Sequence, residues 1–598
     1  MNHPRLTSIG AVAAIACLLG TTTAAAAPPD ASPAVAGAVE HSAEGARLSL
    51  TPLGSYATGT FDAGAAEVVA HYPGAQRVMI VNADAGAVEI LDVADPADPR
   101  KLYEVSAAGV TAADGSVIPA GAVANSVAVR GDGLGLAAVE SPTKTDAGWL
   151  LYFDANGETP TILGAVRVGH LPDMVAVTGD GKTALVANEG EPAEDYSIDP
   201  EGTVSIVTLP KTIDDAVRGR TGGGNGLRGA VSQRQVAEAD FHAFEDSVPD
   251  GVRVFGGRED AGTGTPEFPV SENLEPEYIS VSPGGVTAYV SLQEANAVAV
   301  LNIKSGKFTD LLPLGTVGHN DVAFDASDKD DAVNLATWPV QSFRQPDSIA
   351  TFRRSGMDYT VTANEGDTRD WDGYSEEVRV KDLGDDGLAP VCASVAAEAG
   401  MGLDELTADE NLGRLKVTTA DGLSADGSCY ETLYGFGGRG FSIVDGDGNL
   451  VFDSGEEFER ILAAAVPEHF NSNHGETKFD ARSDDKGPEP EAVALGEVDG
   501  RTYAFIGLER VGGVMVYDVT EPASSEFVTY LNNRDFSRSA EDEIGEGADP
   551  AEALAAAGDL GPESIAFISA ADSPSGSPLL VVGNEVSGST SIIEVSAR

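Results

Sequence analysis

A unit of three short strands recurs along this chain, and that recurrence constrains the fold more than any other feature. One copy lies at 491–519, where an acid opens the apolar run 491–495 and the runs 503–509 and 513–519 follow. Gly and Asp residues separate the three runs, as is typical of tight turns between antiparallel strands. The segment therefore predicts a β-meander.

Seven copies of this unit can be aligned by their first strands. Six of these strands open with an acid, and the seventh opens with Asn125. The six acids are Glu67, Asp173, Glu277, Asp347, Glu491 and Glu563. Seven meanders of one kind are typical of the blades of a β-propeller, so we predict an all-β, seven-bladed propeller. In the copy that starts at Asp347, the third strand is predicted at 377–383.

The two ends of the repeat array predict how the ring closes. The last copy ends with its third strand at Val595, and a lone strand at 47–56 precedes the first copy. We expect this N-terminal strand to complete the last blade, because closure of the ring removes open sheet edges. A run at 441–453 is interpreted as a β-hairpin rather than an EF-hand, since Leu450 stands where the EF-hand loop needs glycine. This hairpin could also belong to an eighth blade.

The chain before the first copy predicts an exported protein. Residues 1–27 combine a basic residue, an apolar run and small residues, which is typical of a secretory signal peptide. Residues 28–45, rich in Ala and Pro, are predicted to be a disordered leader. The propeller would occupy 46–598, with long loop insertions at 210–274, 305–345 and 384–490. With no second apolar span long enough to cross a membrane, we expect a secreted protein or one in the periplasm or cell envelope.

The cysteines of the predicted mature chain support the same compartment. Cys392 and Cys429 both lie in the third insertion. Exported proteins mature in an oxidising environment, so we predict that these two residues form a disulfide. The bond would link the insertion to itself.

The charge of the chain limits its partners. It carries 95 acidic and 37 basic residues, with a formal net charge of -58. Such a charge repels phosphate backbones and anionic lipids, so we expect no nucleic-acid or membrane-surface partner. Divalent or cationic partners are favoured instead, although acidity can also serve solubility alone. We expect a monomer with an extracellular ligand that the sequence does not identify.

The propeller geometry predicts where the acids meet. The first and second strands of a meander run antiparallel, so the start of the first and the end of the second lie at one face. Because the innermost strands line the central channel, acids at these positions should converge at one channel mouth. Like charges this close need basic partners or metal ions, and oxygen-only ligands favour Ca²⁺. The predicted calcium ligands are Glu189, Glu365, Glu491, Glu509 and Glu585.

The channel acids could also have a role that involves no metal. Each of them could accept backbone N–H groups between blades, as a packing device repeated with the fold. Nearby arginine and lysine side chains could neutralise part of the ring. A separate acidic run in the second insertion could hold Ca²⁺ or could simply be solvated. It consists of Asp321, Asp325, Asp328, Asp330 and Asp331.

Conventional catalytic motifs are missing from the chain. It has no GxSxG, HExxH or Walker A sequence, and no cysteine is placed as a nucleophile, so no catalytic residue is identified. A glycine motif at 224–229 matches GxGxxG, but it follows no suitable strand and is interpreted as a flexible loop.

Three motifs carry a resemblance to a known family: ANEGE at 187–191, ANEGDTRD at 363–370 and RSDDKGPEPE at 482–491. They resemble choice-of-anchor I proteins, bacterial exported β-propellers that are similar to animal mesenchyme-specific cell surface glycoproteins. The resemblance implies a cell-surface or extracellular binding or adhesion module. Some members are labelled alkaline phosphatase, so it also implies an alternative, a metal-dependent phosphoesterase in which Arg482 and Lys486 would bind phosphate.

Overall fold

The computed structural model describes residues 35, 37–221, 231–255 and 269–598. The predicted signal peptide, much of the predicted leader and the glycine motif at 224–229 lie outside the described residues.

Seven antiparallel sheets of four or five strands dominate the part of the chain that the structure describes. We call them blades 1 to 7 in chain order. Blade 1 consists of Val69–Tyr72, Arg77–Asn82, Ala87–Asp92 and Arg100–Ser106. Blade 2 consists of Val123–Val129, Leu134–Glu140, Ala147–Asp154 and Ile162–His170. Blade 3 consists of Pro172–Val177, Thr183–Asn188, Thr203–Thr208 and Val236–Ala239, and blade 4 of Pro276–Val281, Thr287–Leu292, Ala297–Asn302 and Lys307–Pro313.

The last three blades depart from this simple order. Blade 5 consists of Ile349–Arg354, Met357–Ala363, Phe441–Asp445 and Leu450–Asp453. Blade 6 consists of Pro490–Val498, Arg501–Leu508, Val514–Asp518 and Glu526–Asn532, with Val39–Ser42 as a fifth strand. Blade 7 consists of Pro562–Ile568, Leu579–Asn584 and Ser589–Ala597, with Leu48–Ala57 as its outer strand.

The seven sheets form a closed ring. The first strand of each blade contacts the first strand of the next, and the first strand of blade 7 contacts that of blade 1. The predicted β-propeller is therefore confirmed. Burial follows this arrangement: the second strands Arg77–Asn82 and Leu579–Asn584 are buried on both faces, whereas the outer strand Arg100–Ser106 is mostly exposed. A strand packed between two neighbouring blades has apolar contacts on both sides, which explains its continuous apolar sequence.

The predicted closure by an N-terminal strand is confirmed. Leu48–Ala57 pairs antiparallel with Ser589–Ala597, from Leu48 opposite Ala597 to Ala57 opposite Ser589. The structure adds a second closing strand, Val39–Ser42, which pairs with Glu526–Asn532 of blade 6. The prediction that 28–45 is wholly disordered is therefore wrong for these four residues. The outer edge of blade 6 has free backbone N–H and C=O groups, and this segment pairs with them. The composition of the segment does not reveal that such an edge is available to it.

The prediction for blade 5 needs a correction. The third strand is Phe441–Asp445, which pairs with Met357–Ala363, and not the predicted 377–383. Glu377–Arg379 instead pairs with Lys416–Thr418 in a separate two-stranded sheet. The hairpin predicted at 441–453 is confirmed, but it forms the outer half of blade 5 and no part of an eighth blade. The predicted insertion 384–490 thus contains the third and fourth strands of blade 5. The chain leaves the blade between its second and third strands, and this excursion covers residues 364–440.

This excursion and the loop before blade 5 pack together as a small lobe. Thr316–Gly318, Val340–Phe343 and Leu433–Gly435 form its three-stranded sheet, and Asp370–Trp371 pairs with Tyr374–Ser375. Its buried core includes Trp338, Leu406 and Val417. The predicted disulfide between Cys392 and Cys429 is present at its edge, with a Cα–Cα distance of 5.1 Å. The lobe and the propeller are thus linked through two separate stretches of chain.

Helices are short in the described residues. The α-helices are Ile213–Thr221, Ala393–Glu398, Leu403–Leu406, Glu457–Ala465, Ala540–Gly545 and Pro550–Ala557. The 3₁₀ helices are Gln233–Gln235, His242–Phe244, Val270–Glu272, Val380–Asp382, Pro467–His469 and Pro522–Ser524. None of the helices in these ranges is both long and apolar enough to cross a membrane.

Closure of the ring predicts a clear stability effect at Leu50. This side chain is 4% exposed and packs in a core cluster with Ile593 and Val595 of its partner strand. We expect Leu50→Ala to lower the free energy of unfolding by about 2–5 kcal/mol, because it leaves a cavity where the ring closes. Thr51→Ala, at the exposed next position of the same strand, should change it little. Equal effects of the two variants in denaturant unfolding would contradict this role of the strand.

Candidate functional site

The acids that open the first strands converge on the axis of the propeller. Because the first strands form the ring, their starting residues lie at the same end of the channel. Burial raises the pKa of these acids, and so do the charges of acids from other blades. An effect of one blade's acid on another requires the side chains to be close together, so it shows the convergence. Asp173 of blade 3 is affected by Asp347 of blade 5, and Glu563 of blade 7 by Glu67 of blade 1. The predicted convergence of these carboxylates therefore occurs in the fold.

Three of these acids form a close group, which we call the channel trio: Asp347, Glu491 and Glu563. One carboxylate oxygen of each lies within 4.8 Å of those of the other two. Asp347 and Glu491 hydrogen-bond to each other. Burial first, and then the neighbouring acids, raise the pKa of Glu491 and of Glu563 well above the usual range. Three carboxylates this close together are costly to ionise at the same time unless protons or a cation neutralise them.

No basic side chain among the described residues forms an ion pair with the trio, nor with Glu67, Asp173 or Glu277. All of the ion pairs found at the channel involve other acids. Arginine and lysine therefore neutralise other channel acids, among them Glu191, which lies 3.0 Å from Lys144, but not these six. The trio remains an oxygen-rich position that lacks a counter-charge from the protein.

Serine side chains, and not the acids, bridge neighbouring blades. Ser348 of blade 5 accepts a hydrogen bond from the backbone N–H of Val493 at 2.8 Å and donates to the carbonyl oxygen of Glu491 at 2.6 Å. Ser564 of blade 7 accepts one from the N–H of Val69 of blade 1 at 3.0 Å. The hypothesis that each first-strand acid accepts backbone N–H groups between blades is therefore wrong within the described ranges. In blades 5 and 7 the serine after the acid carries that role, because its short side chain reaches the adjacent strand.

A second group of charges surrounds Glu489, which is fully buried. Its Oε1 lies 2.7 Å from Arg482, and its Oε2 lies 3.0 Å from Arg510 and 3.3 Å from Lys486. Burial alone would raise the pKa of Glu489, but the three cations hold it well below its usual range. We call this set the Glu489 hub. It is a neutralised structural network rather than an open ligand site.

The two residues predicted to bind phosphate belong to this hub. Lys486 also forms an ion pair with Glu365, and Arg482 lies 3.1 Å from a carboxylate oxygen of Asp485. Lys486 is buried and Arg482 is half-buried. Both positive charges are therefore already matched by carboxylates of the protein.

A third group links the hub to the channel. His474, Glu509 and Glu585 each offer a ligand atom within 4.8 Å of the others. Arg510 lies 3.0 Å from Glu509 and 3.1 Å from Nδ1 of His474. The same Nδ1 lies 3.6 Å from a carboxylate oxygen of Glu509. Burial and then Glu509 raise the pKa of Glu585 to about 7.

The five predicted calcium ligands therefore do not form a single site. Glu491 belongs to the channel trio, and Glu509 and Glu585 lie beside His474. Glu365 and Glu509 form a close group with Glu489, in which Lys486 pairs with both Glu365 and Glu489. Glu189 belongs to no close group in the described part of the chain, although burial first, and then Glu191 and Glu277, raise its pKa. Each predicted residue nevertheless lies near other channel acids. Acids nearby raise the pKa of four of them after burial, and Glu509 lies in close groups with other acids.

Two residues of the site were not among the predicted ones: Glu489, which neutralises the cations of the hub, and His474. Glu489 lies two residues before Glu491 in the motif at 482–491, so a count of charges within that motif could have drawn attention to it. His474 lies in an acid-rich segment, yet nothing in the linear sequence places it beside Glu509 and Glu585. Its position depends on how the segment after Glu457–Ala465 folds back against blade 6.

These features define a class of protein, a β-propeller whose channel is lined by carboxylates. The family model described as "Choice-of-anchor I domain" matches residues 67–522. The chain therefore belongs to the choice-of-anchor I family, as its motifs predicted. The family and the disulfide indicate an exported protein, an extracellular propeller module.

Two curated relatives share part of this chain. The mesenchyme-specific cell surface glycoprotein of Strongylocentrotus purpuratus is 30% identical over 281 residues, which cover 42% of this chain and 35% of that protein. Gigasin-3a of Magallana gigas is 32% identical over 194 residues, which cover 31% of this chain and 66% of that protein. The chain thus spans less than two thirds of the length of each. Hydrazine synthase of Kuenenia stuttgartiensis is 13% identical with a TM-score of 0.38, covering 90% of this chain and 99% of that one, a likeness too low to support an argument.

The Glu489 hub predicts a large effect of a small substitution. We expect Glu489→Gln to lower the free energy of unfolding by about 3–5 kcal/mol at pH 7, because three cations lose their buried counter-charge. A depressed pKa contributes stability that is present above the ordinary pKa of glutamate, about 4.3, and is lost as the pH falls through the folded-state value. The difference between the two proteins should therefore shrink below that pH. Glu497→Gln, at an exposed acid of the strand Pro490–Val498 that follows Glu489, is the control for denaturant unfolding.

The unpaired channel acids predict the opposite pH dependence. Burial and neighbouring acids raise the pKa of Glu67 and of Asp173 to about 8. Stability from such groups is complete below the unfolded-state pKa, near 4, and is lost as the pH rises through 8. With chelator present, we expect the free energy of unfolding to fall between these pH values, and Glu67→Gln to flatten the fall. If the free energy of unfolding of both proteins did not change between about pH 4 and pH 8, the pKa values of these acids would not be raised in the folded state.

Proposed function

We propose that this chain is an exported, calcium-binding β-propeller that acts as an extracellular binding or adhesion module. The observation that carries the proposal is the channel trio, in which three carboxylates from blades 5, 6 and 7 meet without a counter-charge from the protein. A buried cluster of like charges costs free energy unless protons or cations neutralise it. A bound cation would remove that cost and join three blades.

The chemistry of the trio favours Ca²⁺. All three ligands are carboxylate oxygens, which hard cations prefer. Calcium–oxygen distances of about 2.3–2.6 Å place two ligands on opposite sides of the ion roughly 4.6–5.2 Å apart. The trio oxygens lie within 4.8 Å of one another, so one ion can contact all three. Calcium takes six to eight oxygens, so three carboxylates would leave positions for water or for an oxygen of a ligand.

The half-buried position of the trio supports a role in binding. Asp347 and Glu563 keep part of their surface open to the channel, whereas Glu491 is 8% exposed. A cation held by these residues would therefore stay accessible from one side. A ligand that carries carboxylate or hydroxyl oxygens could complete its coordination, as is common at calcium-dependent recognition sites. The relative from Strongylocentrotus purpuratus is a cell surface glycoprotein, which supports an extracellular location for this module.

The phosphoesterase alternative has less support. It requires cationic side chains that are free to bind a phosphoryl group near the metal. Arg482 and Lys486, the two residues proposed for that role, are paired with Glu489, Asp485 and Glu365. Hydrolysis of an aryl phosphate that is abolished by chelator would nevertheless establish a metal-dependent phosphoesterase. This assay should be run on the same protein as the calcium-binding measurements.

Glu563→Gln tests the calcium proposal because the two possible roles of this acid predict opposite signs. If the trio binds Ca²⁺, the variant should melt higher than the native chain in chelator, since repulsion is relieved. It should also gain less stability from added Ca²⁺ and bind it at least about tenfold more weakly in calorimetric titration. Glu497→Gln should behave as the native chain does in both conditions.

Two results would overturn the proposal. One is a native chain whose melting temperature and titration heat do not respond to Ca²⁺. The other is a Glu563→Gln variant that is less stable than the native chain in chelator yet binds Ca²⁺ with unchanged affinity, which would make the acid a packing residue.

A further inference from the structure

A second group of acids lies away from the channel, between the lobe and the chain that leads into blade 6. Asp325 and Asp330 belong to the loop before blade 5, and Asp480 belongs to the segment before Glu489. A carboxylate oxygen of each lies within 4.8 Å of those of the other two. Asp325 and Asp480 are far apart in sequence, so only the folded chain brings them together.

The loop holds Asp325 in a fixed orientation. The side chain is fully buried, and its Oδ2 accepts a hydrogen bond from the backbone N–H of Asn334 at 2.6 Å. Its Oδ1 accepts a longer one, 3.4 Å, from the N–H of Ser327. Asp330 is partly exposed, and its Oδ1 accepts from the N–H of Ala332 at 3.0 Å. These bonds hold the loop carboxylates in place but do not supply a counter-charge.

Asp480 provides an independent observation that points to a ligand. Its side chain is 2% exposed, and its Oδ1 accepts a hydrogen bond from the hydroxyl of Ser483. Its Oδ2 is buried and has no hydrogen-bond partner among the described residues. A buried carboxylate oxygen without a partner is costly, and in native proteins it commonly marks an ion or a water that completes the site.

The basic side chains near the group are already matched. Arg439 donates to the backbone carbonyl of Asp325 at 2.8 Å, but its charge pairs with Glu459 at 2.7 Å. Arg414 and Lys329 both pair with Asp328. Asp325, Asp330 and Asp480 form no ion pair in the parts of the chain that the structure describes. Burial, and then the neighbouring acids, raise the pKa of Asp480 to about 8.

We propose that Asp325, Asp330 and Asp480 form a structural Ca²⁺ site that clamps the loop before blade 5 to the segment before blade 6. Oxygen ligands at this spacing suit calcium, with water completing the coordination. Three carboxylates from two distant segments would be joined by one ion. The site is separate from the channel trio, and it does not depend on the trio being occupied.

The position of the site gives it a further consequence. The segment that starts at Asp480 continues through Arg482 and Lys486 to Glu489, so the ion would anchor one end of the chain that builds the Glu489 hub. Asp480 also shares a hydrogen-bond network with Ser483 and Asn471. Calcium bound here would therefore restrict the motion of the segment that carries the hub residues, although the ion itself would lie outside the channel.

Asp330→Asn in the full chain tests the site, with Asp331→Asn as the matched control. Asp330 is partly exposed and asparagine can accept the same N–H bond, so the variant should fold. Asp331 is exposed and belongs to no close acid group in the described chain; its φ of 57° suits asparagine. In calorimetric titration with Ca²⁺ alone, Asp330→Asn should lose one bound ion per chain or bind it at least about tenfold more weakly. Asp331→Asn should retain the native isotherm.

Hydrogen exchange locates the effect. Added Ca²⁺ should slow exchange in 325–334 and 471–489 in the native chain, in Asp331→Asn and in Glu563→Gln, but not in Asp330→Asn. Glu563→Gln removes a ligand of the channel trio only, so failure of the channel proposal would leave this result unchanged. Native stoichiometry, affinity and protection in both Asp330→Asn and Asp480→Asn would overturn the second site.

Discussion

Closure of the ring is the constraint on which the rest of this structure depends. Seven first strands must contact one another around one axis, and two N-terminal strands complete blades 6 and 7. Because the acids stand at the starts of these strands, closure brings like charges together inside a protein of net charge -58. The fold therefore creates an electrostatic cost that some other group must offset.

The protein meets that cost in two different ways. Around Glu489, three cationic side chains neutralise the buried carboxylate, and its pKa is held low. At the channel trio, no such partner is present among the described residues, and the pKa values of the acids rise. One part of the channel is thus an internal salt-bridge network, and the other has the properties of a cation site. The serines beside the acids hold adjacent blades together, which leaves the carboxylates free of that role.

Several features were predictable because they depend on local patterns. Short apolar runs between Gly and Asp turns predicted the meanders, and a lone strand before the first copy predicted the closing strand. The turn from Asp445 to Asn449 predicted a hairpin, in which Asp445 accepts the N–H of Asn449 at 2.9 Å. The third strand of blade 5 was misplaced because 377–383 and 441–445 both have strand-like patterns. Which of them pairs with Met357–Ala363 depends on long-range contacts.

The sequence by itself determined that this chain forms repeated antiparallel sheets, that it is strongly acidic, and that acids open most first strands. Only the tertiary structure decided which acids are neutralised and which are not. It placed Lys486 against Glu365, and Asp480 against Asp325 and Asp330, across separations that no local pattern encodes. The physical reason is that charge interactions depend on distance and burial in space, which the folded chain sets through contacts between segments far apart in sequence.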